Sequence, residues 1–203
     1  LVVAENRPLA AITQYRRDAM GDVVYERDPE GRETTRGYDL RRRMVRETNG
    51  AGETTSYAFD LNGNRTHVRR PAHPDAPWVS AYDGADRLTS ITDPLGHQTT
   101  FTYDRASNLT ARTDAEGRTT AFAFDALDRR VVHTVAQGTS DEASQQFGYD
   151  PSGNLTGVLD FKGQLSTFEH DPLSRETRRT FDAPSVPTGD DLTEIATAYD
   201  PNG

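Results

Sequence analysis

Aspartates are the residues of this chain best able to do chemistry, and they recur at fixed places. Asp follows an aromatic residue at 39, 60, 83, 104, 125, 150 and 200, and follows His170 at 171. A second set opens Asp-x-x-Gly at 28, 93, 114 and 160. Two carboxylates in unlike environments can act as general acid and base. Such a site needs one asymmetric constellation, however, and a residue repeated along the whole chain is not one. Turn capping and ion pairing account for the pattern better, because an Asp side chain bonds backbone amides just beyond it. No catalytic residue is expected, and the chain reads as a non-enzyme.

Metal and cofactor chemistry fare no better. Asp60–Gly63 resembles part of a calcium loop and Asp150–Gly153 lies close to the same pattern, but the remaining spacing and terminal Glu are missing. His67 and His73 flank a Pro-containing loop without a closing set of ligands. There is no cysteine, so disulfides and thiolate sites are excluded and the redox compartment stays open. No Gly-rich phosphate loop or Ser-His-Asp order appears, and no cofactor is implied. Trp78 reads either as a contact residue on a long hairpin or as packing over a neighbouring strand.

The charge balance is 23 basic against 32 acidic residues. Nucleic acid is an unsuitable partner, since backbone binding needs a basic face. Arg41–Arg43 and the pairs at 69–70, 129–130 and 178–179 sit beside Asp-rich turns and read as solvated ion pairs. Leu1–Ala4 is too short for a signal-peptide core, and no run approaches the roughly 20 apolar residues of a span, so membrane insertion by this segment is not expected. Leu, Ile, Val and Phe make up about 18% of the chain, below the roughly 20% at which disorder becomes a candidate. Against disorder stand a net charge of only −9 and 17 aromatic residues at regular places. The chain is ordered but thin, with apolar surface for one covered face.

The elements that must position these residues are written most clearly between Tyr82 and Asp125. YDGADRLTSITDPLGHQTTFT is followed by YDRASNLTARTDAEGRTTAFA, two copies of 21 residues. Anchors of the same kind stand at Tyr15, Tyr38, Phe59, Tyr82, Tyr103, Phe124, Tyr149, His170 and Tyr199, with Tyr15-Arg16 a degenerate first copy. Spacings are 23, 21, 23, 21, 21, 25, 21 and 29, so every longer repeat exceeds 21 by an even number. Side chains alternate faces along a strand, and only even additions to a hairpin preserve facing. A partial or irregular copy thus occupies 1–14 and the array 15–203.

Two turns punctuate each repeat. The first follows Tyr38-Asp39, Phe59-Asp60, Tyr82-Asp83, Tyr103-Asp104, Phe124-Asp125 and Tyr149-Asp150; its Asn-Gly and Asp-Gly pairs, such as Asp83-Gly84, favour tight reversals. Arg or Asn closes it at Arg43, Asn64, Arg87, Asn108, Arg129, Asn154 and Arg175. The second turn runs Asn49–Gly52, Asp93–Gly96, Asp114–Gly117 and Asp160–Gly163, with Asp28–Gly31 shifted by two. Asp first, Pro second and Gly fourth is a type I preference. Strands are expected at Asp22–Tyr25, Arg65–Val68, Leu88–Thr92, Arg130–Val135 and Leu155–Leu159, and on returning arms such as Thr99–Tyr103, where aromatics alternate with Thr. Extra residues fall at Pro71–Pro77, Gln137–Ser144 and Ala183–Asp191. The fold class is all-β: tandem antiparallel hairpins of about 21 residues. Tyr199–Gly203 opens one more copy, so a longer array is expected.

These motifs resemble YD repeats, also called RHS repeats, found in bacterial Rhs polymorphic toxins, Tc toxin C-components and animal teneurins. The resemblance covers the chain from Tyr15 onward. It implies hairpins side by side in a continuous spiralling sheet, part of a hollow shell. In the toxins such a shell encloses a C-terminal toxin or effector and keeps it from the producing cell. The implied partners are neighbouring repeats and an enclosed toxin polypeptide, and the implied location is secreted or exported. Such shells often end in an aspartyl protease built around Asp-Pro-x-Gly-Leu; Asp28–Arg32 and Asp93–His97 lack the closing Leu, so no catalytic role carries over. Teneurins imply a surface-exposed adhesion scaffold instead, and exposed aromatics a carbohydrate-binding array.

Overall fold

The computed structural model describes residues 12–181 and 194–198. Every helix or strand assigned among them is a β-strand. Two compact halves are distinguished, Leu1–Gln98 and Thr99–Gly203. The first contains β1 Gln14–Arg17, β2 Val23–Arg27, β3 Glu33–Tyr38, β4 Met44–Thr48, β5 Thr54–Phe59, β6 Arg65–Arg69, β7 Trp78–Tyr82 and β8 Leu88–Thr92. From β1 to β8 each strand pairs antiparallel with the next. The second half is entered along β9 Gln98–Tyr103, followed by β10 Leu109–Thr113, β11 Thr119–Phe124, β12 Arg130–Val135, β13 Ala143–Tyr149, β14 Leu155–Leu159, β15 Leu165–His170, β16 Glu176–Phe181 and β17 Glu194–Ala196. The same neighbour-to-neighbour pairing runs from β9 to β17.

Alternation decides which face is covered. Tyr57 and Phe59 are half-buried while Ala58 between them is exposed, and Phe122, Phe124 and Ala123 behave likewise. Among the described residues no hydrophobic side chain is buried, and only Thr134, at 8% exposure, is. Pairing between strands therefore holds each half together without a second layer. Hydroxyl pairs reinforce rungs beside second turns, Thr48 with Thr54 and Thr113 with Thr119 at 2.9 Å and Thr134 with Ser144 at 2.8 Å, and the rung of Thr167 with Thr180 at the open end of the β15–β16 hairpin.

Three details depart from the sequence reading. The β1–β2 turn is Asp18–Asp22, which leaves Tyr15 inside β1 and puts Arg17 at the strand end that Tyr38 occupies in β3. Arg17 to Tyr38 is 21 residues, and the apparent shift of Asp28–Gly31 disappears. Ala143 and Ser144, expected in the extension, are paired residues of β13 opposite Val135 and Thr134. The added length there is split between the two arms and the loop. Finally, the register slips by one residue at the anchor in eight of the hairpins, as where Gly37 faces Arg46 but Tyr38 faces Met44. Such a bulge leaves an extra residue, here Val45, on the strand that follows the turn and sharpens the twist. The extension at Ala183–Asp191 and the copy begun at Tyr199 lie outside the described residues.

Anchors also tie one repeat to the one before. Tyr38 Oη donates to the Val23 carbonyl at 3.1 Å, Tyr82 to Arg65 at 3.2 Å and Tyr149 to Arg130 at 3.0 Å. Phe59 and Phe124 have no hydroxyl for this role, and His170 leaves Nδ1 buried without a hydrogen-bond partner. Tyr38→Phe is expected to cost about 1 kcal/mol, the usual net value of one such bond. His170→Tyr is expected to raise the thermal midpoint by restoring the hydroxyl; circular dichroism melts of both variants measure this.

Candidate functional site

A turn held by its own Asp is the recurring chemical site. At Asp83 the backbone amide donates to the Arg87 carbonyl at 2.9 Å, and Asp86 N donates back to the Asp83 carbonyl at 3.1 Å. Oδ1 accepts the amides of Ala85 (2.9 Å) and Arg87 (3.0 Å), while Oδ2 accepts Arg87 Nε at 2.8 Å. One carboxylate thus satisfies two backbone donors and one side chain. Asp39 with Arg43, Asp125 with Arg129 and Asp171 with Arg175 repeat the arrangement. Asp60, Asp104 and Asp150 use the closing Asn instead, through its Nδ2.

The second turns, which the sequence distinguished from the first, have the same geometry. Asp114 binds the amides of Glu116 and Arg118 and the Arg118 side chain, and Asp93 binds Leu95, His97 and the His97 ring. Asn49 reverses the polarity: its Oδ1 takes the amides while Nδ2 donates to Glu53 at 2.8 Å. Both kinds are three-residue reversals whose last residue, the fourth counted from the opening Asp or Asn, is left-handed. Gly31, Gly52, Gly96, Gly117 and Gly163 supply it in the second turns. In the first turns it is often not Gly: Arg42, Asp86, Ser107, Asp128 and Ser174 all have φ between 59° and 74°. Gly84, expected to make the reversal after Tyr82, has no positive φ; Asp86 carries it.

Contacts between successive first turns explain that choice at Arg42, Asp86 and Asp128. Arg42 bonds Asp22 of the preceding turn at 3.0 and 2.7 Å. Asp86 accepts Asn62 and Asn64 at 2.8 and 2.6 Å, and Asp128 accepts Asn108 at 2.7 Å. Where the left-handed residue is Gly63 or Gly153, the preceding Arg reaches over instead: Arg43 Nη1 donates to the Asp60 carbonyl at 3.2 Å and Arg129 Nη1 to that of Asp150 at 3.0 Å. Closing Asn goes with Asp in the next turn at Asn64 and Asn108, and closing Arg with Gly at Arg43 and Arg129, while the turns after Arg87 and Asn154 carry Ser107 and Ser174 at that place. The longer hairpin between Phe124 and Tyr149 does not interrupt this link.

No acid–base pair emerges from these carboxylates. At Asp39, Asp83 and Asp171 the amide of the Arg four residues on, and then its guanidinium, hold the carboxyl below the usual aspartate range. At Asp125 the Arg129 side chain leads, with its amide behind. Asp60–Gly63 and Asp150–Gly153 are turns of the same kind, and no group of three His, Cys, Asp or Glu able to hold a metal occurs among the described residues. His67 Nδ1 lies 3.1 Å from Thr66 Oγ1, and His73 N donates within its loop to Arg70 at 3.0 Å. The Arg cluster is occupied: Arg42 and Arg43 by Asp22 and Asp39, and Arg41 by the Leu61 carbonyl. Trp78 is 37% exposed in β7, opposite Val68.

On the covered face, His133 stacks on Phe122 (centroids 5.0 Å) and meets the Phe161 edge at 5.2 Å. Burial, and then the Arg130 charge, hold its imidazole below the usual range.

Two measurements test these assignments. Asp93→Asn is expected to lower the thermal midpoint, and adding His97→Glu to recover it by copying the Asn49–Glu53 pair; a non-additive double-mutant cycle checks this. Stability against pH should fall in two steps. Every depressed group contributes fully above its unfolded pKa and loses that contribution as pH falls through the folded value. His133 therefore gives a small loss below about pH 6.5, removed by His133→Phe, and the turn aspartates a larger one below about pH 4.

The RHS Repeat family model matches residues 82–119 and 104–140. No curated protein matches the chain. Among solved structures, the crystal structure of TcdB2-TccC3-TEV is similar at a TM-score of 0.57 and 12% identity, over 90% of this chain and 12% of that one. The Photorhabdus luminescens Tc holotoxin pore is similar at 0.56 and 13% identity, over 94% of this chain and 13% of that one. The chain therefore spans about an eighth of the solved chains it matches, and at this identity the likeness is one of fold. Residues 82–140 thus match the RHS-repeat (YD-repeat) family model, and the same clamped hairpins recur on either side of them.

Proposed function

We propose that this chain is a structural segment of an RHS-repeat shell that encloses and sequesters a C-terminal toxin or effector, and that it has no catalytic role of its own. The observation that carries the reading is the neighbour-only architecture of each half. Strands pair with the strands next to them in sequence, no hydrophobic core is buried among the described residues, and each turn satisfies its own polar groups. Such a sheet gains stability by adding repeats, as solenoid arrays do. Similarity to part of much longer toxin chains supports the same role. The turn aspartates then specify reversals, the partners are adjoining repeats and an enclosed polypeptide, and the protein is exported.

Limited proteolysis of the natural polypeptide carrying this array tests the proposal. A segment C-terminal to the repeats should resist cleavage until the array is opened, for instance by deleting one 21-residue copy such as 82–102. Cleavage of that segment as fast as in its isolated form would show that the array encloses nothing.

A further inference from the structure

Two pockets on the aromatic face are built from equivalent positions. In the first half, Tyr57, Phe59, Arg65, Tyr82, Arg43 and Met44 line about 470 Å3. In the second half, Phe122, Phe124, Arg130, Tyr149, Leu109 and Asp128 line about 430 Å3. Counted from the anchors Phe59 and Phe124, the shared members fall in register: an aromatic two residues before, Arg six residues after, the next anchor Tyr, and an apolar residue six past the previous anchor. Arg at the sixth place is the distinguishing choice, since the copies at Tyr38, Tyr82, Tyr103 and Tyr149 put Met44, Leu88, Leu109 and Leu155 there.

Neither Arg has a carboxylate partner among the described residues, although most acidic turns beside them are paired. Arg65 instead lies over Tyr57 at 5.6 Å, and Arg130 over Phe147 at 4.9 Å and Phe122 at 5.9 Å. A guanidinium held by an aromatic face keeps its in-plane N–H groups for a bidentate acceptor. Arg43, in the first pocket, is neutralised by Asp39; Asp128, in the second, has Oδ1 held by Asn108 at 2.7 Å. Arg65 is left as an uncompensated cation beside open aromatic surface, whereas Arg130 shares its pocket with the Asp128 carboxylate, whose charge a neutral amide does not cancel. The chain as a whole carries a charge of −9, so these two cations stand against its general sign.

We infer that the Arg65 pocket is a binding site for an acidic polypeptide segment, taking a carboxylate on the guanidinium and a neighbouring apolar side chain against the rings, and that the Arg130 pocket, which carries the Asp128 charge as well, is its weaker counterpart. This goes beyond the enclosing role and does not require it, because each pocket is complete within its own half.

Titration of the whole chain with the blocked peptide acetyl-Leu-Glu-Phe-amide, followed through the arginine Nε–H resonances, tests the inference. Saturable shifts are expected at Arg65 and, at higher peptide concentration, at Arg130, with binding at Arg65 roughly fivefold or more weaker for acetyl-Leu-Gln-Phe-amide, which keeps the shape and removes the charge. Arg65→Gln should abolish the response of the first pocket and leave that of the second, and Arg130→Gln the reverse. Equal binding of the two peptides, shifts that never saturate, or responses indifferent to both substitutions would each overturn it.

Discussion

The structure depends on a single arrangement, an aspartate carboxylate bound to the amides two and four residues ahead. A sheet without a buried core has little apolar area with which to fix its register. Register must then be set where the chain reverses, and a reversal leaves amides that need acceptors. Asp supplies them from the first residue of the turn, and its second oxygen fastens the residue that begins the next strand. Register follows from chemistry contained within five residues.

Cross-strand contacts work within the frame the turns define. Aromatic residues two apart cover one face, arginines lie over their rings, and hydroxyl pairs brace the far rungs. None of these contacts reaches beyond the adjoining strands. Stability is accordingly distributed along the chain, and local opening of one repeat should not require its neighbours to unfold.

Much of this was legible in the sequence. Asp-x-x-Gly, the aromatic-Asp anchors and the alternating Thr and aromatic residues announced hairpins, and Leu88–Thr92, Arg130–Val135 and Leu155–Leu159 are strands with the bounds expected. Other features were hidden because a turn is not read from glycine alone. Asp83-Gly84 looked like the reversal, yet the left-handed residue is Asp86, whose side chain repays its backbone cost by bonding Asn62 and Asn64. The first anchor escaped because Arg17 replaces the aromatic and Tyr15 lay nearby as a lure. Arg65 was read only as a strand residue and Arg130 as that and half of an Arg pair, although a basic residue at the same place in two copies was itself a signal.

The pairing of closing Asn with Asp at Asn64 and Asn108, and of closing Arg with Gly at Arg43 and Arg129, makes those copies resemble dominoes rather than bricks. Each carries a left end and a right end that match only certain neighbours. Gene duplication can lengthen such an array freely only when the copied stretch begins and ends on compatible faces. Shuffling single copies would set Arg42 or Asp128 against the wrong counterpart while leaving every strand intact. The order of repeats is thus inherited information, and divergence between otherwise interchangeable copies is one way for a lineage to preserve it.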